Sequence, residues 1–143
     1  MSKLIVSLLF AFTLVLTQPV FARGSEQAKS PVGAMFVLPA GESPSLQQVR
    51  DAIATAGAAR GWRMVSEDAG SMNLYLNVRG KHEVTVKVTY DQKGFQVFYV
   101  SSVNMDHRMR GSLDYIHPKY NMWVNTLIQD VLAKVAMGKT GGQ

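Results

Sequence analysis

The sequence predicts an α+β domain: a two-layer sandwich in which an antiparallel sheet of four to five strands carries two helices on one face, in the order (β)αββββα. Two periodicities and one absence lead to this. Apolar residues recur at helical spacing over residues 46–56 and 120–135, whereas between 62 and 103 they alternate with polar ones. Cysteine is absent from all 143 residues, so apolar packing has to hold the domain without disulfides. The same absence excludes thiol catalysis, thiol redox chemistry and Cys-ligated zinc.

Residues 1–22 read as a cleavable export signal. Lys3 supplies a positive start, residues 4–16 form an apolar run, Gln18 and Pro19 break it, and Val20-Phe21-Ala22 offers the small residues read at a cleavage point. The run is shorter than the ~20 residues of a membrane-spanning helix, and no Cys follows it for lipid attachment. The expected product begins at Arg23, is periplasmic, and is soluble with no stable membrane insertion after cleavage. Residues 23–33 are poor in large apolar side chains and read as a flexible lead-in; 34–137 form one domain; 138–143, with three glycines, form a disordered tail.

Within the domain, a short strand is expected at 35–38, closed by Pro39-Ala40-Gly41. A helix follows over 45–60. Ser45 and Gln48 fit a capping box, Leu46, Val49, Ile53 and Ala56 share one alanine-rich face, and Gly61 suits the left-handed terminating position. Four strands are then expected at 62–66, 72–79, 84–90 and 95–103, with turns at Gly70, Gly80 and Gly94. Asp91-Gln92-Lys93-Gly94 is the clearest hairpin signal, with Gly94 expected at positive φ. Matching apolar with apolar sets Trp62 and Met64 opposite Leu76 and Leu74, those opposite Val86 and Val88, and these opposite Tyr99 and Val97. The last helix is expected over 118–137, with Pro118 in its first turn. Tyr120, Trp123, Val124, Leu127, Ile128, Val131 and Val135 form its apolar stripe, and Asn121, Asn125, Gln129 and Lys134 are expected to face away.

This register places Arg63, Tyr75, Lys87 and Phe98 in one cross-strand row on the opposite face of the sheet, with Asn77, Thr85 and Val100 in the next. Two cations beside two rings, flanked by Val65 and Val100, suit stacking and cation–π contacts, so Arg63, Tyr75, Lys87, Phe98 and Val100 are the candidate binding residues. The expected partner is an envelope protein or an anionic envelope component. No basic block is dense enough to argue for nucleic acid, and export argues against it. The competing expectation is that residues 104–116 or the N-terminal segment cover Phe98 and Val100. Oligomeric state is open.

Other constellations are weaker. Residues 101–117 hold Ser101, Ser102, Asp106, His107, Asp114 and His117, the residue types of a hydrolase, but without a nucleophile elbow. His107 and His117 are ten apart, a spacing that matches no compact metal motif, so neither a metal nor another cofactor is expected, and no catalysis. Arg79 and Glu83 are expected to face each other across the Gly80 turn. The methionines lack the clustering of a copper site, and Met35, Met64, Met72 and Met122 read as packing residues. A second functional expectation is a small apolar or amphipathic ligand held between helices and sheet by Trp62, Tyr99 and Trp123.

The stretch Ile116-His117-Pro118-Lys119-Tyr120-Asn121-Met122-Trp123-Val124 resembles a group of small exported proteins and lipoproteins of Gram-negative bacteria. These share an Ile-His-x-x-Tyr-Asn-x-Trp segment leading into the last helix. Arg60-Gly61-Trp62 and the hairpin from Tyr90-Asp91 to Tyr99 are similar to that group too, and the likeness spans about residues 46–135. The group's lipoproteins carry a Cys after the signal, which this chain lacks. The resemblance implies location and fold and brings no activity with it. It is compatible with a structural role for His117, Tyr120, Asn121 and Trp123, with the rings anchoring the helix and His and Asn satisfying local backbone groups.

Overall fold

The structure, a computed structural model, describes residues 24–138. The expected signal at 1–22 and residues 139–143 of the expected tail lie outside them. Two helices and two antiparallel sheets make an α+β fold. The alternating stretch forms β3 (Trp62–Asp68), β4 (Ser71–Val78), β5 (His82–Tyr90) and β6 (Gly94–Val103). β2 (Val32–Met35) adds beside β6, giving the order β2-β6-β5-β4-β3. Helices α1 (Leu46–Ala59) and α2 (Lys119–Met137) cover one face. The alternation sets the parity: Leu74, Val86 and Val97 are fully buried beneath Ile53, Leu127 and Val131.

The first helix starts as its sequence dictates. Ser45 Oγ accepts from the Gln48 amide at 3.1 Å and Gln48 Oε1 accepts from the Ser45 amide at 2.8 Å, while Gly61 follows the helix at φ 85°. Close approach to the sheet is set by Gly57, where a Cβ would lie 3.3 Å from Trp62 Cβ and 3.5 Å from Leu74 Cδ1.

The register is as expected at its first and last steps, with Trp62 opposite Leu76, Met64 opposite Leu74, Val86 opposite Tyr99 and Val88 opposite Val97. The middle step differs by two residues: Leu76 faces Val84 and Leu74 faces Val86. Arg79 and Gly80 both adopt left-handed φ, 58° and 67°, which tightens the turn so that His82 already pairs with Val78. A slip of two keeps every side chain on its face, so hydropathy is blind to it. Glu83 consequently sits opposite Asn77 and not Arg79.

Two β-bulges mark the sheet. Val65 is the extra residue of β3 against β4, and Val100 the extra residue of β6 against β5; each is 51% exposed. A bulge reverses parity downstream. Beyond Val65, Glu67 therefore lies opposite buried Met72 on the helix side, where Arg50 of α1 grips it through Nε at 2.6 Å and Nη2 at 2.8 Å. Beyond Val100, Ser102 lies on the same face as Tyr99, and their hydroxyls are 2.9 Å apart.

Three expectations are corrected at the edges. The strand expected at 35–38 lies earlier, because its partner β6 begins at Gly94, opposite Met35; one more backbone bond, from the Phe36 amide to Lys93 O at 2.8 Å, reaches into the turn before β6. Gly94 does not take positive φ. Asp91 Oδ1 closes that turn by accepting from the amides of Lys93 and Gly94, and Gly94 is needed because a Cβ there would collide with the Ala34 carbonyl oxygen of β2. The expected lead-in carries structure: β1 (Glu26–Gln27) lies within it and β2 begins in it, fixed by polar contacts that a hydropathy reading does not register. Ser30 Oγ accepts from the Tyr99 amide at 2.8 Å, and Asn121 holds the residues around Lys29.

Residues 104–116 also form structure. β7 (Arg108–Arg110) and β8 (Leu113–Ile116) pair with β1 in a three-stranded sheet of order β1-β8-β7. Met105, Ile116 and Ala28 join the core beside Tyr120 at the start of α2, so this small sheet extends the helix-covered side. No described helix is long and apolar enough to cross a membrane.

Candidate functional site

The face of the five-stranded sheet away from the helices is uncovered among the described residues. Val100 is 51% exposed and Phe98 is half-buried, while Ala28 of the N-terminal segment and Met105 and Ile116 of 104–116 belong to the core on the other side. All five candidate residues are on or at this face, but not in one row. Arg63 pairs with Tyr75, as expected, and Lys87 with Phe98; between them the two-residue slip sets Tyr75 opposite Thr85 and Lys87 opposite Asn73. The result is two adjacent rows, Arg63-Tyr75-Thr85-Ser101 and Ser66-Asn73-Lys87-Phe98, with Tyr75 diagonal to Lys87. Val100 projects from its bulge beside both.

Tyr75 is held from two directions. The Arg63 guanidinium carbon lies 5.2 Å from its ring centroid, and Asn77 Nδ2 donates to its hydroxyl at 3.1 Å. Asn73 Nδ2 donates to Ser66 Oγ at 2.7 Å in the next row. The acids of the face, Glu83 and Asp68, fall at its two ends, opposite Asn77 and Ser71. Its middle therefore carries Arg63 and Lys87 without a carboxylate between them.

Sequence reasoning missed a groove of about 590 Å³ that continues this face at the β2 side, with Gly33, Met35, Thr89, Gly94 and Gln96 among its walls. Its floor is low because glycine is required where β2 meets β6. A Cβ at Gly33 would collide with the Phe95 carbonyl oxygen. Gly33, opposite Gln96, and Gly94, opposite Met35, lie far apart in the chain, and only the β2–β6 register brings them to the same strand junction.

The other constellations resolve differently. Ser101 faces outward opposite Thr85, and Ser102 bonds the Tyr99 hydroxyl. His107 stacks on the Tyr99 ring, centroids 4.6 Å apart, and its Nε2 meets Asp114 Oδ1 at 2.7 Å. His117 Nδ1 accepts from the Lys119 amide at 3.2 Å, and its ring lies 6.2 Å from that of His82. Among the described residues no serine is hydrogen-bonded to an imidazole, and no three His, Asp or Glu side chains are grouped to hold a metal. Trp62 and Trp123 do line a common cleft with Leu76, Met122 and Thr126, but it measures about 210 Å³ and Tyr99 is not part of it. Burial lifts the Tyr99 hydroxyl above its ordinary pKa. Met64 is partly exposed on the edge strand, and Met35 and Met122 are exposed, so of the four methionines read as packing residues only Met72 is buried.

Asn121 corrects the reading of the last helix most sharply. It does not face away: it is 8% exposed, its Oδ1 accepts from the Lys29 amide at 2.8 Å, and its Nδ2 donates to Gln27 O at 2.9 Å and to Glu26 Oε1 at 2.7 Å. Its partners are 92 to 95 residues away along the chain, and not local. Tyr120 is fully buried with its hydroxyl unbonded, and burial, followed by Tyr99 and Asp114, raises its pKa well above the ordinary value.

Compared with known proteins, the chain matches no family model, no curated protein and no solved structure.

Proposed function

We propose that this is an exported periplasmic protein that acts by binding and not by catalysis, and that its contact surface is the outer sheet face around Arg63, Tyr75, Lys87, Phe98 and Val100. The observation that carries the reading is the arrangement of that face: two cations interleaved with two rings on adjacent rows, uncovered among the described residues and continuous with a glycine-floored groove. Such a surface fits a partner in the cell envelope that presents negative charge together with apolar or ring-bearing groups.

Affinity capture from a native envelope extract tests this, comparing the wild-type chain with a Tyr75→Ala/Lys87→Ala double variant. The reading expects a partner retained by the wild type and lost from the double variant at unchanged thermal stability. Equal retention by both, with the fold intact, overturns it.

A further inference from the structure

A second surface, independent of the outer sheet face, lies at one pole of the molecule. Three elements meet there. His82, next to the turn that carries Arg79 and Lys81, contacts the Asn104 carbonyl oxygen through Nδ1 at 2.7 Å, and its ring is 6.2 Å from that of His117. His117 caps the Lys119 amide at the start of α2, and the β7–β8 hairpin with Arg108 and Arg110 runs directly into His117. Arg79, Lys81, Arg108, Arg110 and Lys119 are all exposed, and none is in an ion pair among the described residues. Of the acids at this pole only Asp114 meets a basic side chain, that of His107, while Glu26 and Glu83 accept from Asn121 and Asn77 and keep their charge, as does Asp106; the five cations outnumber them on the hairpin side, where Arg108 and Arg110 stand.

The hairpin adds apolar surface to this charge. Met109 is 57% exposed and Leu113 42%, one on each side of the ribbon around the Gly111 turn, with Arg110 folded over Tyr115 at 5.0 Å. Exposed apolar side chains at a hairpin tip, flanked by unpaired cations, are matched to an interface where headgroups are anionic and acyl chains lie just beneath. A free polyanion would satisfy the arginines and leave Leu113 in water. We infer that the β7–β8 hairpin pole docks on an anionic lipid surface through the face that Arg108, Arg110 and Leu113 share, with the two arginines at the headgroups and Leu113 at the acyl boundary.

Sedimentation with vesicles tests the assignment, using the chain from Arg23 to Gln143, which contains every core residue of the described fold. Vesicles of phosphatidylcholine and phosphatidylglycerol in equal parts are expected to bind it at low salt, and pure phosphatidylcholine vesicles are not. Arg108→Ala/Arg110→Ala should weaken binding about 25-fold, from ~5-fold per cation near an anionic surface. Leu113→Ser, at an exposed position at the start of β8, should weaken it severalfold with the melting temperature as the check on folding, and Lys134→Ala, in the last turn of α2, should leave it unchanged. Absence of a phosphatidylglycerol preference overturns the inference, as does indifference to the arginine pair. Inorganic polyphosphate binding as tightly as the vesicles, with Leu113→Ser without effect, overturns it in favour of a soluble polyanion.

Discussion

Replacing Asn121 by Ala removes one side chain that ties the N-terminal segment to the last helix. Three bonds are lost: the Lys29 amide to Oδ1, Nδ2 to Gln27 O, and Nδ2 to Glu26 Oε1. The two backbone bonds contribute about 0.5 kcal/mol each at the low end appropriate to a part-buried site, and the bond to the carboxylate about 1.5 kcal/mol. The expected loss is about 2–3 kcal/mol, a large fraction of the roughly 5–15 kcal/mol that holds a domain of this size. With a urea slope of about 1.5 kcal/mol/M, the unfolding midpoint falls by about 1.3–2 M. Amide exchange at Lys29 should accelerate in parallel, because its acceptor is gone. A midpoint shift worth less than about 0.5 kcal/mol, or an unchanged Lys29 amide, would refute the view that Asn121 anchors this segment.

Two further outcomes follow from buried and paired groups. Tyr120→Phe deletes a hydroxyl that is fully buried without a partner, so stability should rise by about 1 kcal/mol, read as a melting temperature about 3–5 °C higher; a fall would show that the hydroxyl is bonded. Glu67 is held below its ordinary pKa, first by hydrogen bonding to Arg50, so the folded state favours its charged form. The advantage of wild type over Glu67→Gln is then complete above the unfolded carboxyl pKa near ~4.3 and disappears as pH falls through the lower folded value. Melting curves from neutral pH to about 2 should converge; a constant gap would contradict the pairing.

The helices, the four central strands and the buried parity were legible because each is written in a period, 3.6 or 2, that hydropathy reports directly. What was not legible is what period does not encode. The β4–β5 register slipped by two without moving a single side chain to the other face, so Tyr75 and Lys87 share a surface but not a row. The bulges at Val65 and Val100 add a residue where the sequence shows only more alternation, and they decide that Glu67 reaches Arg50 and Ser102 reaches Tyr99. Residues 24–33 read as a lead-in because their structure rests on Asn121, Ser30 and the β1–β8 pairing, contacts made across most of the chain, and 104–116 reads as a loop because its short local hairpin, β7–β8, is rich in polar residues and shows no apolar alternation. Gly94 stands out in the sequence as a turn glycine, whereas in the fold it permits close strand approach and takes no positive φ.

The absence of native cysteine makes the proposed contact face open to direct mapping. A single Cys placed at Lys87 on the outer face, or at exposed Gln129 on α2, can carry a photo-crosslinker into a native envelope extract. Adducts formed from position 87 and not from position 129 are the expected result. Adducts from 129 with none from 87 would contradict the assignment of the outer sheet face as the contact surface.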